Sequence, residues 1–258
     1  MQDILRVTQA AMEQDAARLK HIAMNVANAS TPGYRRQVHT GHAIGTFDQV
    51  MAQSHVGKDA AARQPAMAPV SELMVAVQAG RLQKSERALD MALTGPGYFV
   101  VKTPAGIAYT RNGQFKRDEA GRLVTIQGGH TVQGTGGDVL LKGEQAVMNA
   151  QGFLKDAGDE SSQGQQLLIQ QFPSTVELTH AESGLLRLAR PEALSELPIA
   201  KALDGQSVRQ FQLEGSNVDG LQETLDTMAT MRHFEALHRL TQAVDDMLGT
   251  SIKKLGEL

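Results

Sequence analysis

The sequence predicts an α+β protein in which long N- and C-terminal helices pair as a coiled coil and a central antiparallel β domain lies between them. Three observations lead to this fold class. Residues 2–29 contain no Gly or Pro, apolar residues recur every three or four positions from 216 to 258, and most of the 25 Gly lie between these segments. The expected boundaries are 1–33 for the N-terminal helix, 34–88 for an extended linker region with a short helix, 89–215 for the β domain and 216–258 for the C-terminal helix.

The composition argues against several classes of protein. The 258 residues include 25 Lys and Arg against 28 Asp and Glu, a net charge of −3, whereas nucleic-acid binders usually present a basic surface. With 0 Cys, the chain has no disulfides, thiolate metal sites or cysteine nucleophiles. No stretch approaches the ~18–20 apolar residues of a transmembrane helix. The first residues also lack the features of a secretory signal, so any export is expected to need no cleaved signal.

The N-terminal helix is predicted from a heptad repeat. Leu5, Met12, Leu19 and Val26 recur at every seventh position. This spacing keeps one apolar seam facing a partner helix. The helix should end before Pro32-Gly33, because the residue before a proline is pushed out of the α region.

The following segment has no clear period. From Tyr34 to Pro69 it is dominated by His, Gly, Gln and Ala, which predicts an irregular or extended conformation. Residues 70–82 are expected to add a short helix.

Short apolar runs separated by turn residues predict the β domain. The expected strands are 98–101, 123–126, 139–141, 167–172 and 185–188. Turns are expected at 104–106, at 119–121 and at Asn112-Gly113, a dipeptide that tolerates the positive φ of tight hairpins. Many short strands with Gly-rich turns favour a compact antiparallel domain.

The C-terminal helix is predicted from a second apolar stripe. Its members are Leu221, Leu225, Met228, Met231, Phe234, Leu237, Leu240, Val244, Leu248, Ile252 and Leu255. Asp219 followed by Gln222 predicts a capping box at the start of this helix. At 1.5 Å per residue, roughly 40 residues span about 60 Å, which is more than the β domain needs for cover. The helix therefore needs a partner, and the apolar flanks left exposed on the helix pair are typical of a polymer subunit.

Three ordered motifs give the chain a resemblance to a known family. The run N-V-A-N-A-S-T-P-G-Y-R-R at 25–36 resembles the N-terminal motif of bacterial flagellar rod and hook proteins. The run S-N-V-D at 216–219, with Glu223 and then R-H-F-E-A at 232–236, resembles their C-terminal signature. The central β motif of the family is similar to L-D-M-A-L at 89–93, G-Y-F at 97–99, Y-T-R-N-G at 109–113 and G-R-L at 121–123.

The resemblance implies a structural subunit of the flagellar basal-body rod, the drive shaft that crosses the periplasm and carries motor torque to the hook. Such subunits pass unfolded through the flagellar type III export apparatus and polymerise into a helical tube. The expected partners are the same and related rod subunits, with hook and ring proteins as further candidates. No cofactor, small-molecule substrate or nucleic acid is expected. Length and a single β domain fit the proximal or the distal rod subunit of this family. The run N-A-S-T-P-G at 28–33 looks more like the proximal rod subunit, and the distal rod subunit is the alternative.

The chain departs from the family pattern at a few positions. Val26 replaces the usual Leu, Gly220 stands where a larger apolar residue or Pro is common, and Met231 stands where Gln is common. Phe211 occupies a position usually held by Gly. Most of these differences concern the packing at the start of the C-terminal helix.

The residues expected at subunit contacts come from the two apolar stripes and from the motif that follows the first helix. They are Leu5, Met12, Leu19, Asn25, Val26, Asn28, Thr31, Pro32, Gly33, Tyr34, Leu221, Leu225, Met228, Phe234, Leu237, Leu240, Val244, Leu248 and Ile252. The alternative for the stripes is an ordinary helix pair within one chain. The alternative for the motif is a helix terminus followed by a solvated turn.

Two functions of other classes stay open. A cell-wall glycan hydrolase would need paired acidic residues in a cleft, and Asp156, Asp159 and Glu160 lie in a loop-like segment instead. The nearest His pair, His39 and His42, has no adjacent carboxylate to complete a metal site. A diffusing adaptor or chaperone could use the same coiled coil to bind one partner.

Overall fold

The computed structural model describes residues 2–40, 72–76, 78–143, 146–149, 153–157, 164–172, 178–181, 184–189, 201–202 and 208–256. These residues form two helices and 19 strands. The protein is α+β, with an N-terminal helix, a central antiparallel β domain and a C-terminal helix, as the sequence predicts. Most of the irregular segment expected at 34–69 lies outside the described residues. Neither described helix combines the length and apolar character that crossing a membrane requires.

The first helix, α1 (Gln2–Ala27), ends a few residues before Pro32. The carbonyl oxygen of Met24 accepts two hydrogen bonds from Asn28 at the helix end, one from the backbone amide at 3.2 Å and one from Nδ2 at 2.8 Å. Gly33 then adopts a positive φ of 69°. The chain turns there and leaves the helix axis.

The second helix, α2 (Gly220–Gly256), begins at a side-chain cap. Asp219 Oδ1 accepts from the amides of Leu221 at 3.0 Å and Gln222 at 3.4 Å, so Asp219 is the N-cap. The Gln222 side chain donates to Asp226 Oδ1 at 3.1 Å instead of returning to Asp219. Only one half of the expected capping box therefore forms.

The two helices lie side by side and run antiparallel. Asn25, near the end of α1, bonds to Glu223, near the start of α2. Asp15, in the middle of α1, lies 2.6 Å from His233, further along α2. Among the helix positions whose side chains are described, the buried ones are Thr8, Asp15, Ile22 and Asn25 on α1 and Glu223, Thr230 and Val244 on α2.

The strands between the helices are short. Their bounds are β1 (Gln37–Thr40), β2 (Glu72–Val75), β3 (Leu82–Lys84), β4 (Met91–Leu93), β5 (Tyr98–Thr103), β6 (Gly106–Thr110), β7 (Phe115–Arg117), β8 (Leu123–Thr125), β9 (Thr131–Gly134), β10 (Gly137–Asp138), β11 (Ala146–Met148), β12 (Phe153–Asp156), β13 (Gln165–Gln166), β14 (Leu168–Gln170), β15 (Leu178–His180), β16 (Leu186–Leu188), β17 (Lys201–Ala202), β18 (Val208–Gln210) and β19 (Gln212–Glu214).

Ten of these strands form the main antiparallel sheet. Strands β15, β16, β6, β5, β9, β8 and β7 follow one another, β10 pairs with β9, and β14 pairs with β5 and β17. The central strand β5 is covered on both faces, because successive residues of a strand point to opposite sides. Phe99 and Val101 enter the larger core, where Phe99 meets Phe115 edge to face at 5.2 Å, while Tyr98 and Val100 enter a second cluster.

Small antiparallel pairs join the sheet to the helices. Strand β4 pairs with β18, and β3 pairs with β19, so the segments that enter and leave the sheet run along each other. We call these two pairs the connecting ladders. A further pair, β1 with β2, lies beside α1.

Two sequence expectations for secondary structure are wrong. The short helix expected at 70–82 is replaced by β2 and by the start of β3, because pairing with β1 and β19 overrides local preference. The strand expected at 139–141 is replaced by β10 at 137–138, and Leu140 forms an isolated bridge with Arg122. The turns expected at 104–106 and 119–121 are confirmed, since β5 turns into β6 and β7 into β8 there.

The expectation of a hairpin turn at Asn112-Gly113 is also wrong, because the two strands that flank this dipeptide do not pair with each other. The strand before this dipeptide pairs with β5 and β16, and the strand after it pairs with β8. Asn112 Oδ1 accepts the amide of Gln114 at 3.0 Å. A Cβ on Gly113 would lie 1.5 Å from the carbonyl oxygen of Met91. Gly is therefore required at this position for close backbone approach rather than for a hairpin turn.

Candidate functional site

The N- and C-terminal motifs meet at one place, where the helix pair joins the connecting ladders. We call this cluster the polar junction: Asn25, Tyr34, Arg35, Arg36, Gln37, Arg111, Glu214, Asn217, Glu223 and Asp226. It contains three guanidinium groups and three carboxylates. The formal charges of these six groups cancel.

Asn25 connects α1 to three other parts of the junction. Its Oδ1 accepts from the amide of Gln37 at 2.9 Å and from the hydroxyl of Tyr34 at 3.3 Å. Its Nδ2 donates to the carbonyl oxygen of Gln37 at 3.0 Å and to the carboxylate of Glu223 at 3.3 Å. Asn25 is buried, so its side chain holds strand β1 and helix α2 against α1.

Glu214 is the centre of the buried charge. Its Oε1 lies 2.8 Å from Nη2 of Arg35 and accepts from the amide of Gly80 at 2.9 Å. Its Oε2 lies 3.2 Å from Nη1 of Arg111. Burial lowers the pKa of Arg111, and the carboxylate of Glu214 opposes this change. One carboxylate thus ties together the segment after α1, the main sheet and the segment before α2.

Arg36 forms a second, less buried group of ion pairs with α2. Its Nε contacts Oε1 of Glu223, and its Nη2 lies 3.0 Å from Oδ2 of Asp226. Its amide donates to Oδ1 of Asn217 at 2.6 Å. Asn217 Nδ2 donates in turn to the carbonyl oxygen of Gln78 at 2.8 Å. These bonds fix the start of α2 relative to Arg36, which precedes β1, and to Gln78, which follows β2.

Tyr34 and His180 link the junction to the edge of the main sheet. Their rings lie 4.9 Å apart, and the His180 Nε2 atom is 2.9 Å from the carbonyl oxygen of Arg35. Burial, with repulsion from Glu223 as a smaller cause, raises the pKa of Tyr34 to about 12. Burial lowers the pKa of His180, against the opposing effect of its bond to the Arg35 carbonyl. Both rings are therefore neutral at pH 7.

An apolar face of α2 remains exposed beside the junction. Leu221 is 72% exposed, and Leu225 and Met228 are both 52% exposed. With 3.6 residues per turn, these positions share one side of the helix, opposite the buried Glu223 and Thr230. We call Leu221, Leu225 and Met228 the exposed stripe. It faces away from α1, and no other described element covers it.

The structure divides the expected contact residues into three groups by burial. The buried ones are Asn25, Gly33, Tyr34 and Val244. The half-buried ones are Leu5, Met12, Leu19, Asn28, Thr31, Pro32, Phe234, Leu237 and Leu248. The exposed ones are Val26, Leu221, Leu225, Met228 and Leu240. The side chain of Ile252 lies outside the described residues.

Sequence reasoning did not place the charged members of the junction in contact with one another. Arg111 and Glu214 stand inside stretches read only as strand and turn motifs, and both are buried. Asp15 is not a member of the predicted apolar seam, yet it is buried and pairs with His233. The available signal was a charged residue inside a mostly apolar or glycine-rich segment, which indicates a buried pair when an opposite charge occurs in another motif.

Comparison with known proteins places all three motifs in related families. Residues 5–35 match the family described as flagella basal body rod protein. Residues 92–165 match the flagellar hook protein FlgE/F/G D1 domain, and residues 209–254 match the flagellar basal body rod FlgEFG protein C-terminal region.

Individual relatives are similar over most of the chain. The flagellar basal-body rod protein FlgF of Escherichia coli K12 is 30% identical over 235 residues, with 88% of each chain covered. FlgF of Salmonella typhimurium LT2 is 32% identical over 237 residues, again with 88% of each chain covered. The basal-body rod protein FlgG of Bacillus subtilis 168 is 25% identical over 258 residues, covering 92% of this chain and 93% of the relative.

A helix pair, an interposed β domain and a junction built from three family motifs define a structural protein of the flagellar axis. The chain belongs to the family of flagellar basal-body rod proteins. It is a structural subunit of the basal-body rod, and the resemblance seen in its motifs is confirmed. Similarity to FlgF at 30% identity or above agrees with the expected preference for the proximal rod subunit.

Proposed function

We propose that the chain is a proximal rod subunit that polymerises, with copies of itself and related rod proteins, into the drive shaft between motor and hook. It reaches this position unfolded, through the flagellar type III export apparatus. In the assembled rod, α1 and α2 form the inner layer as a coiled coil, and residues 89–215 form the outer body.

The exposed stripe carries the proposal. Leu221, Leu225 and Met228 leave apolar area in water on the side of α2 that faces away from α1. Burial of one such side chain is worth about 1.5–3 kcal/mol, from roughly 25 cal/mol per Å² of apolar area. A single chain gains nothing from this stripe, whereas a neighbouring helix pair would cover it.

The heptad spacing supports the coiled-coil geometry. Thr8, Asp15 and Ile22 are buried and recur every seven residues. Leu5, Met12, Leu19 and Val26 lie three residues before or four after these positions and are less buried. In the assembled rod, we expect this second row to contact neighbouring subunits while the first row holds α2.

The polar junction suits a part that carries torque. Force applied to the β body must pass to the helices through the segments at 33–37 and 214–219. At the junction, buried ion pairs and hydrogen bonds fix these segments relative to each other, and a connected polar network of this kind resists displacement. The body and the helix pair should therefore turn as one unit.

The direct test is charge placed on the exposed stripe. Leu225→Glu should reduce assembly of the purified chain at least tenfold, measured by sedimentation velocity and by negative-stain imaging of open-ended tubes or filaments. The control is Gln127→Glu, which adds the same charge at an exposed position of the β domain. Both variants should melt like the wild type, because neither position is buried. A closed dimer that Leu225→Glu leaves intact would favour the adaptor function instead.

The proximal and distal positions need a different experiment. Locating a tagged chain along isolated rods would separate them, because both subunits share the same motifs. We expect label at the motor-side part of the rod. Label confined to the hook-side part would assign the chain to the distal rod.

A further inference from the structure

Methionine carries all of the side-chain sulfur in this chain, because the sequence contains 11 Met and 0 Cys. Peroxides oxidise the sulfur of both residue types, and in other proteins a cysteine thiolate competes for the oxidant. With no thiolate present, a peroxide that reaches the chain acts on the methionines. Their exposure to water then decides which of them react first.

The described methionines differ widely in exposure. On α2, Met228 and Met231 are both 52% exposed and Met247 is 56% exposed, while Met24 on α1 is 39% exposed. Met91 is completely buried in the larger core of the β domain. A dissolved oxidant therefore reaches the methionines of the helices in the folded chain, and it reaches Met91 only after unfolding.

Two of the exposed methionines lie together beside the polar junction. Met228 is a member of the exposed stripe, and Met231 follows it by three residues. Positions three apart are neighbours on the surface of a helix. The buried side of α2 is formed by other residues, among them Glu223 and Thr230. Oxidation of these two methionines therefore disturbs no core contact of the single chain.

The modification is a two-electron oxidation of the thioether. The methionine sulfur attacks one oxygen of hydrogen peroxide, an S–O bond forms, and the O–O bond breaks. The proton on the transferred oxygen passes to the leaving hydroxide, which departs as water. The sulfur is oxidised and the peroxide is reduced. The product, methionine sulfoxide, is polar where the thioether was apolar.

We propose that Met228 and Met231 form a site of oxidative modification by peroxides, and that their sulfoxides block assembly through the exposed stripe. The inference rests on the proposed function, because the polarity of these side chains affects association only if the stripe is buried. In an unassembled chain the sulfoxide oxygens stay hydrated. Against a neighbouring helix they lose this water, and a buried polar group without a partner opposes association.

Peptide mapping by mass spectrometry tests the modification itself. The purified chain is treated with increasing concentrations of hydrogen peroxide before digestion. We expect sulfoxide at Met228 and Met231 at concentrations that leave Met91 unmodified, and unmodified Met91 shows that the chain stayed folded. Oxidation of Met91 together with the two exposed residues would overturn the proposal, because the unfolded chain would then be the species modified. So would thioethers at 228 and 231 that do not react.

Leucine substitutions connect the modification to assembly. Leucine is close to methionine in volume and in helix propensity, and it has no sulfur. Peroxide should weaken assembly of the wild type at least tenfold in sedimentation velocity. A variant with Met228→Leu and Met231→Leu should lose far less, each chain being compared with its own untreated sample so that changes in basal assembly cancel. The matched control carries Met24→Leu and Met247→Leu, and it should respond like the wild type.

Reduction provides a second measurement. Dithiothreitol with the two methionine sulfoxide reductases, one for each epimer, should restore assembly of the oxidised wild type. The reductant has no disulfide to break, since the chain has 0 Cys. A loss that reduction does not reverse would overturn the proposal, because damage other than sulfoxide formation would be its cause.

The remaining outcomes separate this inference from the proposed function. If the untreated wild type assembles and the oxidised wild type assembles equally well, the oxidation site alone fails. The same holds if the variant with Met228→Leu and Met231→Leu is as sensitive to peroxide as the wild type. If the untreated wild type stays monomeric, the proposed function fails, and the inference fails with it.

Discussion

The amide of Gly33 donates to the carbonyl oxygen of Glu214 across 2.7 Å. A Cβ on Gly33 would lie 2.2 Å from the amide nitrogen of Asn112. Three family motifs, far apart in the chain, therefore touch at one backbone crossing. Because the backbones themselves are in contact, side-chain adjustment alone cannot compensate for a change at this point.

Gly33→Ala should destabilise the chain more than a positive φ alone explains. The left-handed conformation costs a residue with a Cβ about 1–2 kcal/mol, and at Gly33 the clash with Asn112 adds to this cost. Gly129→Ala is the control, because Gly129 has a φ of +64° and no atom within 4 Å of the added Cβ. In urea unfolding, the midpoint of the Gly33 variant should lie well below the midpoint of the Gly129 variant. Equal midpoints would show that the backbone crossing has room for the added Cβ.

Glu214→Gln should remove most of the stability of the polar junction. The substitution leaves Arg35 and Arg111 buried with no carboxylate between them, and breaking a buried ion pair on one side costs about 3–5 kcal/mol. Urea unfolding at pH 7 measures the difference. Glu119→Gln is the control, since Glu119 is exposed and should change little. If Glu214→Gln lowers the free energy of unfolding no more than this control does, water reaches the two guanidinium groups.

Asn25→Ala should lower the free energy of unfolding by about 1–3 kcal/mol, because this is the range for leaving buried polar partners unsatisfied. The amide and carbonyl of Gln37 and the hydroxyl of Tyr34 lose their common partner. Asn28→Ala removes an exposed bond to Met24 and should cost clearly less. Hydrogen exchange provides a second measurement, because the amide of Gln37 should exchange faster in the Asn25 variant only.

Periodicity in the sequence was sufficient to predict both helices. Leu19 and Leu237 follow a helical repeat, and the residues around them are free of helix breakers. The buried row of α1, however, is Thr8, Asp15 and Ile22. A threonine and an aspartate carry no hydrophobic signal. Their burial follows from the position of α2 and from the contact with His233, which only the folded chain reveals.

The junction was harder to predict than the helices. Its bonds connect Arg35 to Glu214 and Arg36 to Glu223, pairs that are distant in sequence. Motif reasoning recognised Asn25 and Tyr34 but could not match charges across the chain. Local preference also failed at Asn112-Gly113, because pairing of the flanking strands with other strands decides the geometry there.

The stability of the chain should fall between pH 7 and pH 5 because of His180. Burial lowers the pKa of His180 in the folded state below its ordinary value, so the unfolded chain takes up this proton first as the pH falls. The neutral His180 ring therefore makes its full contribution to stability at pH values above the pKa of this histidine in the unfolded chain, about 6.5. The contribution decreases as the pH falls below that value. Within the part of the chain that the structure describes, the His180 ring contacts the Tyr34 ring and the carbonyl oxygen of Arg35, and both of these groups are uncharged. His180→Gln should flatten the change in urea midpoint between pH 7 and pH 5, whereas His238→Gln, at an exposed position of α2, should keep it. If His180→Gln leaves the change in urea midpoint between pH 7 and pH 5 as it is in the wild type, other groups govern the acid sensitivity. The His180 ring would then be hydrated in the folded chain.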